Sequence, residues 1–201
     1  MDAVEIGVDE IKAACLLRWN RDTDEPVLLD GAFNLAGCSF FTRGLAREFL
    51  LFLSKEALKQ MPVGTHTVAC EGNRIHSIVQ PDGLAVLITT TEGYKQRAAM
   101  AMARALMGAF CEAHPVAVWR GCTTDGGCKL PQLEAALLDW QDPAKLGIMA
   151  EAQRGAAEVL PEVLPIKLPP FPAPGDPVRT HYVQAGMAHF TSGFVGRCSL
   201  A

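Results

Sequence analysis

Seven of the chain's thirteen prolines fall between Pro161 and Pro177, in the stretch PEVLPIKLPPFPAPGDP. Each proline lacks a backbone N–H and holds φ near one value, and one placed inside a helix costs about 3 kcal/mol. No helix continues through such a stretch, which predicts an extended, solvated segment instead. The chain is thereby divided. A folded module is expected over residues 8–142, and residues 143–201 are expected as a proline-rich, irregular and largely disordered tail.

Upstream, the hydrophobic periodicity is that of a mixed fold. IKAACLLRWN (Ile11 to Asn20) and VLLDGAFNL (Val27 to Leu35) read as two strands joined by the polar turn RDTDEP. A helix follows from about Gly44 to Met61, with Ser39 or Thr42 as its cap and Pro62 and Gly64 as its stop. Its apolar residues Leu45, Phe49, Phe52 and Leu53 repeat at helical spacing, but Leu50 and Leu51 widen the stripe beyond one face. A stripe that wide needs cover on two sides, and ordinary core packing is one reading of it. Three strands near 64–72, 74–80 and 84–91 come next, with EGNR and PDG as turns. A long helix from about Tyr94 to Glu112 and a shorter one from Leu130 to Gln141 complete the order. Strand, strand, helix, three strands, helix, helix is an α+β arrangement, an antiparallel sheet covered by helices.

Composition narrows the function. With 49% apolar and 20% charged residues in 201, the chain can bury a core. A net charge of −4 without a lysine- or arginine-rich run argues against nucleic acid as partner. The seven cysteines are scattered, several within apolar runs, which suits a reducing compartment better than a disulfide framework. The acidic opening MDAVEIGVDE predicts no secretory leader, and no apolar run approaches the roughly 18 residues of a spanning helix.

Catalytic signatures are missing from the sequence. It holds no phosphate-binding loop, no G-x-G-x-x-G, no nucleophile elbow and no H-E-x-x-H. His66, His76, His114, His181 and His189 lack ligand spacing, and Cys122 and Cys128 with His114 form no standard zinc knuckle, so no metal site is expected. The expectation is therefore a protein that is not an enzyme, has no small-molecule substrate, and works by recognition.

Three stretches resemble the longin domain of R-SNAREs, in particular the lipid-anchored, non-transmembrane R-SNARE family of vesicle fusion. They are SFFTRGLAREFLLFLSKE (Ser39 to Glu56), GLAVLITTTEGYKQRAAMAMARALM (Gly83 to Met107) and LDWQDPAKL (Leu138 to Leu146). The most specific is the first, an aromatic pair, an arginine, then a helix with glutamate and phenylalanine. The resemblance covers roughly residues 10 to 150. It implies a profilin-like fold: a five-stranded antiparallel sheet with one helix on one face and two on the other. It also implies a role in membrane fusion and in ER-to-Golgi and related vesicle-mediated transport. Partners would be SNARE proteins or other trafficking factors, with the protein cytoplasmic and cycling onto Golgi and endomembrane vesicles. In that family the first helix and third strand border an apolar groove that receives either the protein's own SNARE segment or its lipid chain. Leu45, Phe49 and Phe52 are the candidate groove residues here, with plain core as the competing reading of Phe52.

The departure from the family lies in the tail. A SNARE motif needs about eight uninterrupted heptads of helix. Leu146, Met149, Ala156 and Leu160 fall on heptad positions with Gln153 as a polar interruption, and then Pro161 ends the pattern. Arg154 comes too early for the central-layer arginine, and Arg179 lies beside the prolines. The tail is either that of a longin-only scaffold or adaptor, which would bind a small GTPase or coat component without fusion activity, or the product of a truncated or misread transcript. Cys198, in CSLA, fits the loose prenylation pattern, although Ser199 is a poor first aliphatic position. A prenyl group there is the one expected modification. One lipid alone supports only reversible membrane association, and the neighbouring position, where the family carries a second cysteine, is Arg197.

Overall fold

The computed structural model describes residues 10–176, apart from 21–22, 24, 71, 143–144 and 147–159. Its centre is β1 (Ile11–Asn20), nearly all of it buried, flanked by β2 (Glu25–Phe33) and β5 (Leu84–Thr91). A strand buried on both faces reads as a continuous apolar run rather than an alternation, which is why AACLL and LAVLI carry no polar spacing. The sheet order is β2-β1-β5-β4-β3-β6, with β3 at Gly64–Cys70, β4 at Asn73–Val79 and β6 at Val163–Pro165. All pairings are antiparallel except that of β6, which runs parallel to β3. A register irregularity between Ile11 and Ala13 turns Ile11 to the opposite face from Ala13, so each face receives its own hydrophobes.

One face is covered by α1 (Arg43–Lys59), which packs Leu50, Leu51, Leu53, Ala57 and Leu58 against Ala13, Cys15, Leu17, Leu28 and Leu87. The other is covered by α2 (Gln96–Ala113), α3 (Val116–Arg120) and α4 (Leu133–Gln141), whose Phe110, Trp119 and Trp140 pack with Leu16, Leu29, Val86 and Ile88. Gln141 fixes α4 to the sheet by accepting the Ile11 amide at 2.7 Å and donating to its carbonyl at 3.1 Å. In the turn before β5, Gly83 adopts φ +93, and a Cβ there would meet the Trp19 carbonyl oxygen at 2.5 Å, so the position admits glycine alone.

Three expectations need correction. The sheet has six strands, the sixth supplied by the proline-rich segment expected to be irregular. The second face carries three helices, since a single turn, α3, brings Trp119 into the core. Thr42 occupies the cap position of α1, but its hydroxyl bonds back to the Ser39 carbonyl at 3.2 Å instead of capping the helix. Among the described residues, no helix is long and apolar enough to cross a membrane. Of the heptad positions, Met149, Gln153 and Ala156 lie outside the described residues, as do Arg154, Arg179 and Cys198.

The free edge of β2 is covered by a strap, residues 121–130. Gly126 and Cys128 donate to the Leu28 and Leu29 carbonyls at 2.6 and 3.2 Å, as a neighbouring strand would. Asp125 accepts the Leu28 amide with one oxygen and Lys55 Nζ of α1 with the other, both at 2.7 Å. One carboxylate thus joins strap, sheet and helix. Asp125→Ala should lower stability by about 2 kcal/mol, since it removes the carboxylate that the mostly buried Lys55 ammonium and the Leu28 amide share. Urea unfolding of the variant measures it; a loss under about 0.5 kcal/mol would mean that water replaces the carboxylate.

Candidate functional site

Between α1 and β3 lies an apolar cleft, and the proline-rich segment fills it. Val163, Leu164 and Pro165 pair with Thr67, Val68 and Ala69 of β3. The next amide, Ile166, donates to the Ala69 carbonyl at 3.1 Å. Pro165 is tolerated because β6 is an edge strand and needs no donor on its outer side. Beyond it the chain crosses towards α1. Gln60, just past the helix, donates to the Lys167 carbonyl at 3.2 Å, and Leu168 drops into the core beside α1, only 8% exposed. Phe171 then meets two rings of α1 edge-on, Phe49 at 5.5 Å and Phe52 at 5.2 Å between centroids. Such aromatic pairs add about 0.5–1.5 kcal/mol each to the area they bury.

The wide stripe on α1 is thereby accounted for. Leu50, Leu53, Ala57 and Leu58, at i, i+3, i+7 and i+8, join the cluster with the sheet residues, while Phe49 and Phe52 meet Phe171 of the segment. Phe52 is 3% exposed and lies in the core cluster as well as against Phe171. Leu45, one turn earlier, is 45% exposed and does not join that cluster. Phe40 and Phe41 lie still further out, stacked edge-on at 5.7 Å and exposed to solvent. Sequence reasoning missed Ile166, Leu168 and Phe171, although the signal was present: a purely solvated proline-rich tail has no use for so many large apolar side chains.

A polar relay anchors the start of the segment. Gln96, in the first turn of α2, donates to the Pro161 carbonyl at 2.7 Å and to Thr67 Oγ1 at 3.1 Å. Thr67 Oγ1 lies 3.1 Å from His76 Nδ1, and His76 Nε2 lies 3.2 Å from Thr90 Oγ1, whose hydroxyl donates to the Thr91 carbonyl at 2.9 Å. One arrangement satisfies every group. Thr67 donates to Nδ1, and a neutral imidazole donates from Nε2 to Thr90. His76 is fully buried, and burial together with the nearby Arg74 charge holds its pKa down at about 4. Among the described residues, no group of three or more potential ligands is arranged to hold a metal ion. Chemically, the cleft offers apolar surface, a strand edge and amide donors, which is equipment for gripping an extended peptide.

No protein-family model matches the chain. It is 30% identical over 141 residues to a putative synaptobrevin homolog YKT6 of Dictyostelium discoideum, a match covering 68% of this chain and 69% of that protein. A synaptobrevin homolog YKT6 of Debaryomyces hansenii is 27% identical over 128 residues, 63% of this chain and 64% of the relative. The VAMP-like protein YKT61 of Arabidopsis thaliana is 23% identical over 146 residues, 72% of each. The chain thus spans about two thirds of the length of these relatives.

Proposed function

Because the chain belongs to the longin R-SNARE family of YKT6-type synaptobrevin homologues, we propose that it acts in vesicle-mediated transport by protein capture in the cleft between α1 and β3. Residues 8–142 are the recognition module, and the segment 163–171 is its resident occupant. The observation that carries this reading is the seating of Leu168 and Phe171 against Phe49 and Phe52, with main-chain pairing to β3 beside them. A strand edge next to apolar pockets is a general way to bind an extended segment, the backbone giving affinity and the pockets giving selectivity. Leu45 and the exposed Phe40 and Phe41 extend the apolar surface beyond the occupied part. The partners in this reading are SNARE proteins, and reversible association with Golgi or endomembrane vesicles through a prenyl group on Cys198 belongs to it.

A second reading, a longin-only scaffold or adaptor that binds a small GTPase or a coat component, is favoured by one feature. The segment at the cleft is an extended strand among prolines, whereas a fusion-competent motif must form an uninterrupted helix. Affinity purification of the tagged full-length chain from cells, with quantitative mass spectrometry, separates the two. Enrichment of SNARE proteins is expected. Enrichment of coat or GTPase components without SNAREs would select the second reading, and enrichment of neither would overturn both.

A further inference from the structure

Two thiols face each other inside the strap. Cys122 Sγ lies 3.1 Å from Cys128 Sγ, and both cysteines are free. Their backbones are held from opposite sides. Cys122 follows α3 directly, its amide donating to the Trp119 carbonyl at 3.2 Å, while Cys128 is fixed to the β2 edge through the Leu29 carbonyl. Between them Gly127 makes the approach possible, because a Cβ there would sit 3.0 Å from Cys122 Sγ. The two differ in access: Cys128 is buried, and Cys122 is half-exposed. Pairing of a reachable thiol with a hidden one is the arrangement of an attacking and a resolving cysteine.

We propose that Cys122 and Cys128 form a reversible dithiol–disulfide switch that fastens the strap across the β2 edge. The oxidant is a small-molecule disulfide. The Cys122 thiolate attacks one of its sulfurs, the S–S bond breaks, and the departing half leaves as a thiolate that takes up a proton. The mixed disulfide on Cys122 is then attacked by the Cys128 sulfur, whose proton goes to the second departing thiol. Two electrons and two protons pass from the pair to the small molecule, which ends as two thiols. Burial, reinforced by the Cys122 sulfur beside it, holds the Cys128 thiol up at about 12, so it remains protonated until the mixed disulfide is presented to it. Contraction to a bonded sulfur pair closes a small loop around Asp125, the residue that joins Lys55 of α1 to β2. Oxidation therefore tightens the anchoring of the helix that walls the cleft, and reduction relaxes it. The chemistry stands whether or not the cleft captures a partner.

The full-length protein, equilibrated in graded mixtures of glutathione and glutathione disulfide and then alkylated, tests the switch by peptide mass spectrometry. The expected product is one intramolecular 122–128 link that has lost two hydrogens, restored to two alkylated thiols by excess reduced glutathione. Cys128→Ser should trap glutathione on Cys122, and Cys122→Ser should leave Cys128 unmodified. In the unmutated protein the Gly126 and Cys128 amides should exchange about tenfold more slowly when oxidised. Complete alkylation of both thiols in every mixture would overturn the proposal. So would linkage of Cys122 to a different cysteine, or unchanged amide exchange in the linked protein.

Discussion

Leu168→Asp combined with Phe171→Ser should empty the cleft while leaving the sheet and its helices folded. Leu168 is the segment's buried member of the cluster around α1, and Phe171 supplies its ring contacts to Phe49 and Phe52. Burying a leucine or phenylalanine is worth about 1.5–3 kcal/mol, and placing an aspartate where Leu168 sits adds a desolvation cost. The backbone entropy of ordering the segment is common to both proteins and cancels in the comparison. At the low end of these values the loss is about 3 kcal/mol, a fall of about a hundredfold in the ratio of docked to released segment. Hydrogen exchange reads this directly: the Ile166 amide, bonded to the Ala69 carbonyl, should lose protection by about that factor. A synthetic peptide of residues 160–176 should bind the double variant and be excluded from the unaltered protein. Unchanged protection at Ile166, with no peptide binding, would mean that the segment is held by something other than these two side chains, and the capture mechanism would fall with it.

Phe52→Glu is the corresponding change on the wall of the cleft, and it is a less selective probe. Phe52 is buried among core residues as well as against Phe171, so a carboxylate there disturbs both. Substitution from the segment side separates recognition from folding, and the exposed Leu45 offers a milder handle on the wall.

The distribution of what was legible in the sequence follows from length and from which rule governs each element. β1 to β5, α1, α2 and α4 are long or strongly patterned, and their periodicity located each within a few residues. α3 is a single turn, too short for any period to register, although it carries the buried Trp119. β6 was hidden by a rule applied too broadly. Proline forbids helix and forbids the interior of a sheet, but at an edge one side of the strand needs no donor, and Ile166 supplies the amide that Pro165 lacks. The width of the apolar stripe on α1 announces a second cover, whereas Phe49 and Phe52 come from the family resemblance, and the structure places both against Phe171. What covers them was not found, because Leu168 and Phe171 sit more than a hundred residues away among prolines. The strap was equally silent. TTDGG carries turn chemistry, yet nothing in it announces that Asp125 reaches both Lys55 and the Leu28 amide.

Acidification should weaken the fold through His76. Its pKa lies near 4 in the folded chain against 6.5 for an ordinary histidine, so between those values the unfolded chain binds a proton that the folded chain refuses. The stabilisation is fully present above pH 6.5 and is lost as the pH falls towards 4. The slope is at most about 1.4 kcal/mol per pH unit, and the total is about 3 kcal/mol. The hydrogen-bond pattern gives the same sign. A proton on Nδ1 would face the hydroxyl hydrogen of Thr67, and Thr67 Oγ1, already accepting from Gln96, would have to find its own hydrogen a new acceptor in a buried place. Gln96 is also what holds the Pro161 carbonyl, so the strain passes to the start of the docked segment. The measurement is the difference in urea-unfolding free energy between the unaltered protein and His76→Gln at pH 7 and again at pH 4.5. Carboxylates titrating elsewhere affect both proteins alike and cancel. The advantage of the unaltered protein at pH 7 should shrink by about 2–3 kcal/mol at the lower pH. A difference that stays constant across the two conditions would show that His76 accepts its proton without opposing the fold, and the relay from His76 to Pro161 would have no part in holding the segment.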